Sequence, residues 1–86
     1  MASIEEVRAG ILATKDKADE ALGAVNKAHA HMEEVQAGAA RAMEGSGQVD
    51  VTNALGLAAQ TVNDLEQTRA QISAFISEAE SISNRL

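Results

Sequence analysis

The sequence predicts an all-α protein: a two-helix antiparallel hairpin that fills the chain. Alanine is the commonest residue and proline is absent, so nothing in the composition breaks a helix. One phenylalanine is the only aromatic, and β-branched residues are too few for a sheet. Apolar residues recur at alternating spacings of three and four along two long stretches, which is the helical pattern. A chain of 86 residues has room for one domain, with a helix over about 3–43, a turn over 44–50 and a helix over about 51–85.

The first predicted helix begins after Ser3. Ser3 and Glu6 form a capping box, in which the serine hydroxyl and the glutamate carboxylate each accept a backbone N–H at the helix start. Two interleaved sets, apolar at every position except Thr14, then repeat every seven residues, which predicts a seam of coiled-coil type. The first set is Ile4, Ile11, Ala18, Val25, Met32 and Ala39, and the second is Val7, Thr14, Ala21, Ala28, Val35 and Ala42.

A turn follows at Glu44-Gly45-Ser46-Gly47, where a glycine can take the left-handed conformation that ends a helix. Asp50 is the predicted N-cap of the second helix, since its carboxylate can accept free amides of the first turn.

The second predicted helix again alternates steps of four and three. Its seam residues are Val51, Leu55, Ala58, Val62, Leu65, Arg69, Ile72, Ile76, Ala79, Ser83 and Leu86. Because only a short turn joins two long helices, they must fold back on each other. Folding about Gly47 pairs residue i with about residue 94 − i, so that small side chains tend to meet large ones.

This seam is thin, since five of the twelve seam residues of the first helix are alanine, and burying a methyl group stabilises less than burying a large aliphatic chain. We therefore expect the hairpin to associate into a four-helix bundle, as a homodimer or with a helical partner. The expected interface residues lie at or beside the seam: Leu22, Met43, Arg69, Phe75 and Ile82. For Arg69 two interpretations stay open. Either its stem packs while the guanidinium reaches water, or it pairs across an interface and fixes the register.

The net charge of −6 and the lack of a basic stripe argue against nucleic-acid binding. No apolar stretch is long enough to span a membrane. The N-terminus, MASIEEVRAG, has acidic residues where a signal peptide has basic ones, and no long apolar run follows. The protein is therefore expected in the cytoplasm, or outside the cell by a route without a cleavable signal peptide.

Chemistry-bearing residues are sparse. Without cysteine there is no thiolate nucleophile or ligand. His29 and His31 point to opposite sides of a helix and cannot share a metal ion. His29 with Glu33 has usable ligand spacing, but the second helix offers no histidine, so we expect no metal site. His29 is expected as a satisfied boundary residue near Leu65. We also expect no cofactor, no small-molecule substrate and no enzymatic activity, because a two-helix rod provides no enclosed site.

A hairpin of this length with a glycine-bearing central turn resembles the Trp-x-Gly family, the early-secreted-antigen-like substrates of type VII secretion. The corresponding turn here, Glu44-Gly45-Ser46-Gly47, lacks the tryptophan. The family's export signal, Tyr followed four residues later by an acid, is replaced by Phe75 with Ala79 four residues on. The alanine-rich, acidic style, with Ala54-Leu55-Gly56-Leu57, is also similar to small actinobacterial hairpins that occur near polymorphic toxins.

Two functional hypotheses follow. The first is a non-enzymatic helical-hairpin interaction protein linked to type VII secretion or a toxin system. The second is a cytoplasmic coiled-coil scaffold or adaptor without a connection to secretion.

Overall fold

A computed structural model describes residues 1–86 as two α-helices, α1 over Ile4–Ala42 and α2 over Val49–Arg85. The chain is 88% helical with no strand. The helices pack side by side into a rod of 63 × 18 × 16 Å. The predicted all-α helical hairpin is confirmed. Neither helix has an apolar stretch that could cross a membrane.

Local chemistry sets both ends of α1. The hydroxyl of Ser3 accepts the Glu6 backbone N–H at 3.1 Å, which satisfies one of the free amides of the first turn. At the other end, Met43 is the C-cap and its N–H donates to the Ala39 carbonyl at 2.9 Å. Gly45 has φ +82°, the left-handed conformation expected of a glycine that ends a helix.

The predicted N-cap of α2 is wrong. The helix begins at Val49, with Gln48 as its N-cap and no side-chain capping bond. The Thr52 N–H donates to the Gln48 carbonyl at 3.1 Å. Because this helical hydrogen bond already begins at Gln48, the helix starts before Asp50. Asp50 therefore lies within the first turn, where a carboxylate suits the positive end of the helix dipole, and it accepts the Val51 N–H at 3.0 Å.

The inward residues of α2 match the predicted seam closely. Nine of them are buried or half-buried: Val51, Leu55, Ala58, Val62, Leu65, Ile72, Ile76, Ala79 and Ser83. Arg69 is exposed instead, because its charged end stays in water. Leu86 is also exposed, since it ends the chain beyond the last turn.

The seam of α1 is rotated relative to the prediction. Val7 and Val35, expected inside, are 42% and 51% exposed. Ile4, at the start of the first set, is exposed as well, whereas the rest of that set is half-buried. The half-buried or buried second set lies four residues after the first, not three: Arg8, Lys15, Leu22, His29, Gln36 and Met43. Long polar side chains can occupy these positions because their stems pack against the seam, and at Lys15 and His29 the polar ends also contact carboxylates of α2.

The register of the two helices agrees with the predicted one to within a residue. Lys15 contacts Glu80 and His29 contacts Glu66, and the residue numbers of both pairs add up to 95. A residue i of α1 is therefore level with about residue 95 − i of α2. Because both contacts join long side chains, this relation gives the height of a side chain along the rod to within about one helical turn.

Candidate interaction surface

The hairpin buries very little of its own surface. Only Ala58, Val62 and Ala79 form a buried apolar core, together with the buried polar residues His29 and Ser83. Burial of three small or medium side chains supplies little hydrophobic stabilisation. Most of the larger apolar side chains are half-buried in the seam, and four others, Val7, Val35, Phe75 and Ile82, are exposed on the side opposite a polar edge.

His29 is the centre of the polar edge. Its Nε2 lies 3.1 Å from Oε1 of Glu66 on α2, and its Nδ1 lies 3.3 Å from Oε1 of Glu33, one turn away on α1. The contact between Nε2 and Glu66 is a hydrogen bond that joins the two helices. His29 is thus the satisfied boundary residue that the sequence predicted, with a contact that joins the two helices.

Lys15 makes the second contact of this edge. Its Nζ lies 3.2 Å from Asp19 and 3.6 Å from Glu80 of α2. The hydrogen bond to Asp19, followed by the negative charges of Asp19 and Glu80, raises the pKa of Lys15 above its ordinary value. The polar edge therefore joins the helices through two polar contacts at separate heights, His29 with Glu66 and Lys15 with Glu80.

The opposite side of the hairpin carries what we call the apolar face. It is made of the residues three positions after each member of the first set on α1, and three positions after Val51, Ala58, Leu65, Ile72 and Ala79 on α2. These are Val7, Thr14, Ala21, Ala28, Val35 and Ala42 on α1, and Ala54, Thr61, Thr68, Phe75 and Ile82 on α2. None of them is charged, and all except the half-buried Ala28 are exposed. Because the inward residues keep the same seven-residue repeat along each helix, the apolar face runs along the rod.

The three threonines of the apolar face present no free hydroxyl donor. Thr14, Thr61 and Thr68 each donate to the backbone carbonyl four residues earlier, at 2.9, 2.8 and 2.9 Å. A hydroxyl that is already hydrogen-bonded within its own helix costs less to remove from water. These threonines therefore behave as small, mostly apolar residues on this surface.

At the open end of the hairpin, residues of the apolar face line a groove of about 590 Å³. Phe75 and Ile82 line it from α2, and Val7 and Thr14 line it from α1, so the exposed sets of the two helices lie on the same side. Phe75 is 47% exposed and Ile82 is 38% exposed. Large, partly exposed apolar side chains around a groove are typical of a protein-interaction site.

The expected interface residues fall into three groups. Phe75 and Ile82 lie on the apolar face. Leu22 and Met43 are half-buried in the second inward set of α1, so they contribute to the hairpin's own seam. Arg69 is exposed and forms no ion pair within the hairpin.

Sequence reasoning missed Val7 and Val35 as surface residues, because it assigned them to the seam. No signal in the sequence marks them as exposed, because their heptad position carries no charge anywhere in α1 and so has the pattern of a seam.

The histidines do not form a metal centre. His31 is exposed, and the two ring nitrogens of the buried His29 lie 3.1 and 3.3 Å from the carboxylates of Glu66 and Glu33. No group of three histidine, aspartate or glutamate side chains is arranged to hold a metal ion.

Comparison with known proteins gives no relative: no protein-family model, no curated protein and no solved structure matches the chain.

Proposed function

We propose that this protein is a non-enzymatic helical-hairpin interaction protein that works by docking its apolar face against another pair of helices. The observation that carries the proposal is the uncharged face along the rod, with Phe75 and Ile82 at a groove. Acidic and basic residues make up 23% of the chain, yet none occurs at any position of this face. A helical surface depleted of charge in this way is the side that a bundle buries.

The small intramolecular core supports the same proposal. A helix pair that buries only a few small side chains is marginal on its own, whereas a four-helix bundle buries a wider apolar stripe on every helix. Covering Phe75 and Val35 would add large side chains to that core, each contributing about 1.5–3 kcal/mol when fully buried.

Site-specific photo-crosslinking tests this proposal. A photoreactive amino acid replaces Phe75 in the full chain, expressed in its source organism, and a matched variant carries it at Leu12. Leu12 is also a partly exposed large apolar residue, at 42%, but it lies off the apolar face. We expect a discrete crosslinked protein, either another copy or a different chain, from position 75 and not from position 12. Equal products from both positions, or none from position 75, would contradict the proposal.

The link to secretion is a separate part of the proposal and rests on the hairpin architecture that the type VII substrates share. We propose export without a cleavable signal peptide for this chain. An adaptor that stays in the cytoplasm would use the same apolar face, so crosslinking does not separate the two roles. Detection of the full-length chain in the culture medium, with a cytoplasmic enzyme as lysis control, supports export, and retention with the cells favours the adaptor.

A further inference from the structure

The apolar face is complementary to a second copy of itself, and this complementarity selects one arrangement. We infer that two hairpins associate through their apolar faces with a two-fold axis parallel to the helices. In this dimer α1 of each copy packs against α2 of the other, and both turns lie at the same end. The inference rests on the proposed function and adds the partner and its orientation.

The heights of the large and small residues provide the first support. A two-fold axis parallel to the rod preserves height, so a residue of α1 meets the partner's α2 at the level set by the hairpin register. Within the hairpin, level residues have numbers that add up to 95. Phe75 of the partner subunit then lies within one residue of the level of Ala21, and Ile82 of the partner subunit within one residue of the level of Thr14. Large side chains meet small ones on this face, which allows close packing without voids.

Charges at the rim of the apolar face provide the second support. Three residues after members of the face, α1 carries Lys17 and His31, whereas α2 carries Asp64 and Glu78. All four side chains are exposed. In the proposed dimer Lys17 is level with the partner's Glu78, and His31 is level with the partner's Asp64. The remaining charged residue of this rim, Arg85, is level with Gly10 and meets no like charge.

The alternative symmetric dimer brings the acidic rim residues of the two copies together and separates Lys17 from Glu78. With the two-fold axis across the rod, α1 would pack antiparallel against the partner's α1, and α2 against the partner's α2. Lys17 would then lie near the partner's His31, and Asp64 near the partner's Glu78. Like charges that face each other across an interface weaken association. The charge pattern therefore favours α1 against α2 over the arrangement that pairs identical helices.

Lys17 is available for such a contact. Its only ion pair in the hairpin is with Glu20 on the same helix, at 3.3 Å, and the two side chains are 81% and 70% exposed. An exposed pair three residues apart on one helix contributes only a few tenths of a kcal/mol. The pair with Glu20 therefore leaves the ammonium group of Lys17 able to contact another carboxylate.

A charge-swap series measured by analytical ultracentrifugation tests the pairing. We expect wild type to dimerise, and Lys17→Glu and Glu78→Lys each to raise the dimer Kd about tenfold, or about 1.4 kcal/mol, because each turns two attractive contacts into repulsive ones. The double variant Lys17→Glu/Glu78→Lys should recover to within about threefold of wild type. Lys27→Glu, an equal charge change on α1 away from the apolar face, is the matched control and should leave the Kd unchanged.

Spin labels on the turn test the orientation independently. The chain has no cysteine, so Ser46→Cys gives a single labelling site per copy. With both turns at one end, the distance between the labels should not exceed about twice the 18 Å width of the hairpin. A distance close to the 63 Å length of the rod, or tighter association of Lys17→Glu, would overturn the inference in favour of paired identical helices.

A wild type that stays helical and monomeric at high micromolar concentration would overturn the second copy as the partner. The proposed function would survive that result if position 75 still crosslinks to a different protein. If position 75 gives no crosslinked product, the proposed function and the homodimer both fail. The two failures are thus distinguishable.

Discussion

The contact between His29 and Glu66 should be the strongest single polar link between the helices, and a double-mutant cycle measures it. His29 is 8% exposed, and its Nε2 lies 3.1 Å from the Glu66 carboxylate. A hydrogen bond to a charged group contributes about 1.5–3 kcal/mol when both partners are buried. Because the Glu66 side chain is 51% exposed, solvent screening reduces this value, and we expect a coupling of about 1 kcal/mol.

The cycle consists of His29→Ala, Glu66→Ala and the double variant, unfolded by urea and followed by circular dichroism at one protein concentration. The fixed concentration keeps any self-association the same in all samples. For a chain of this size, a loss of about 1 kcal/mol corresponds to a fall in Tm of roughly 4–8 °C. A parallel cycle between His29 and Glu33, which pair within α1, should give a smaller coupling of about 0.3–0.5 kcal/mol.

Two results would refute this reasoning. A coupling between His29 and Glu66 indistinguishable from zero would mean that the contact does not hold the helices together. A coupling to Glu33 as large as that to Glu66 would mean that His29 stabilises α1 and not the hairpin.

Three further outcomes follow from the ends of the helices and the polar edge. Ser3→Ala should lower the unfolding free energy by about 1 kcal/mol and increase amide exchange in the first turn, because it removes the N-cap bond. Gly45→Ala should destabilise the hairpin by about 1–2 kcal/mol in urea unfolding, since φ is +82° there, whereas Gly47→Ala should not, since its φ is not positive. The raised pKa of Lys15 should give a stabilisation that is complete below the unfolded-state pKa of about 10.4 and lost as pH rises through the higher folded-state pKa. In urea melts between pH 9 and pH 11.5, Asp19→Asn should remove most of that loss.

The sequence predicts α2 better than α1, and the cause is the chemistry of their inward residues. In α2 nearly every inward position is apolar, so hydrophobicity and burial share one pattern. In α1 the inward set includes Lys15, His29 and Gln36, while uncharged small residues occupy the exposed flank. Hydrophobic periodicity alone therefore predicts that the flank is buried. It does not take into account that long polar side chains can pack their stems in the seam and contact the other helix through their polar ends.

The candidate site was predictable in part for the same reason. Phe75 and Ile82 stand out from the sequence as large apolar residues beside the α2 seam. Leu22 and Met43 were assigned to the outside only because Val7 and Val35 had been placed inside. The rotation of α1 that exchanges these pairs depends on contacts with α2, such as Lys15 with Glu80, and a single-helix pattern does not contain them.

The constant register of the hairpin has a consequence for its folding kinetics. Residues beside the turn contact partners close in sequence, whereas Val7 and Ile82, at the open end, are joined only after nearly the whole chain has closed. The entropic cost of closing a loop rises with the length of chain between the two contacting residues. The helices should therefore pair first beside the turn and last at the open end, and the open end should be the first to unfold locally. The groove with Phe75 lies in that last-formed segment. A partner that binds at the groove also stabilises the end of the hairpin that has the lowest local stability. Binding and the completion of folding are therefore coupled.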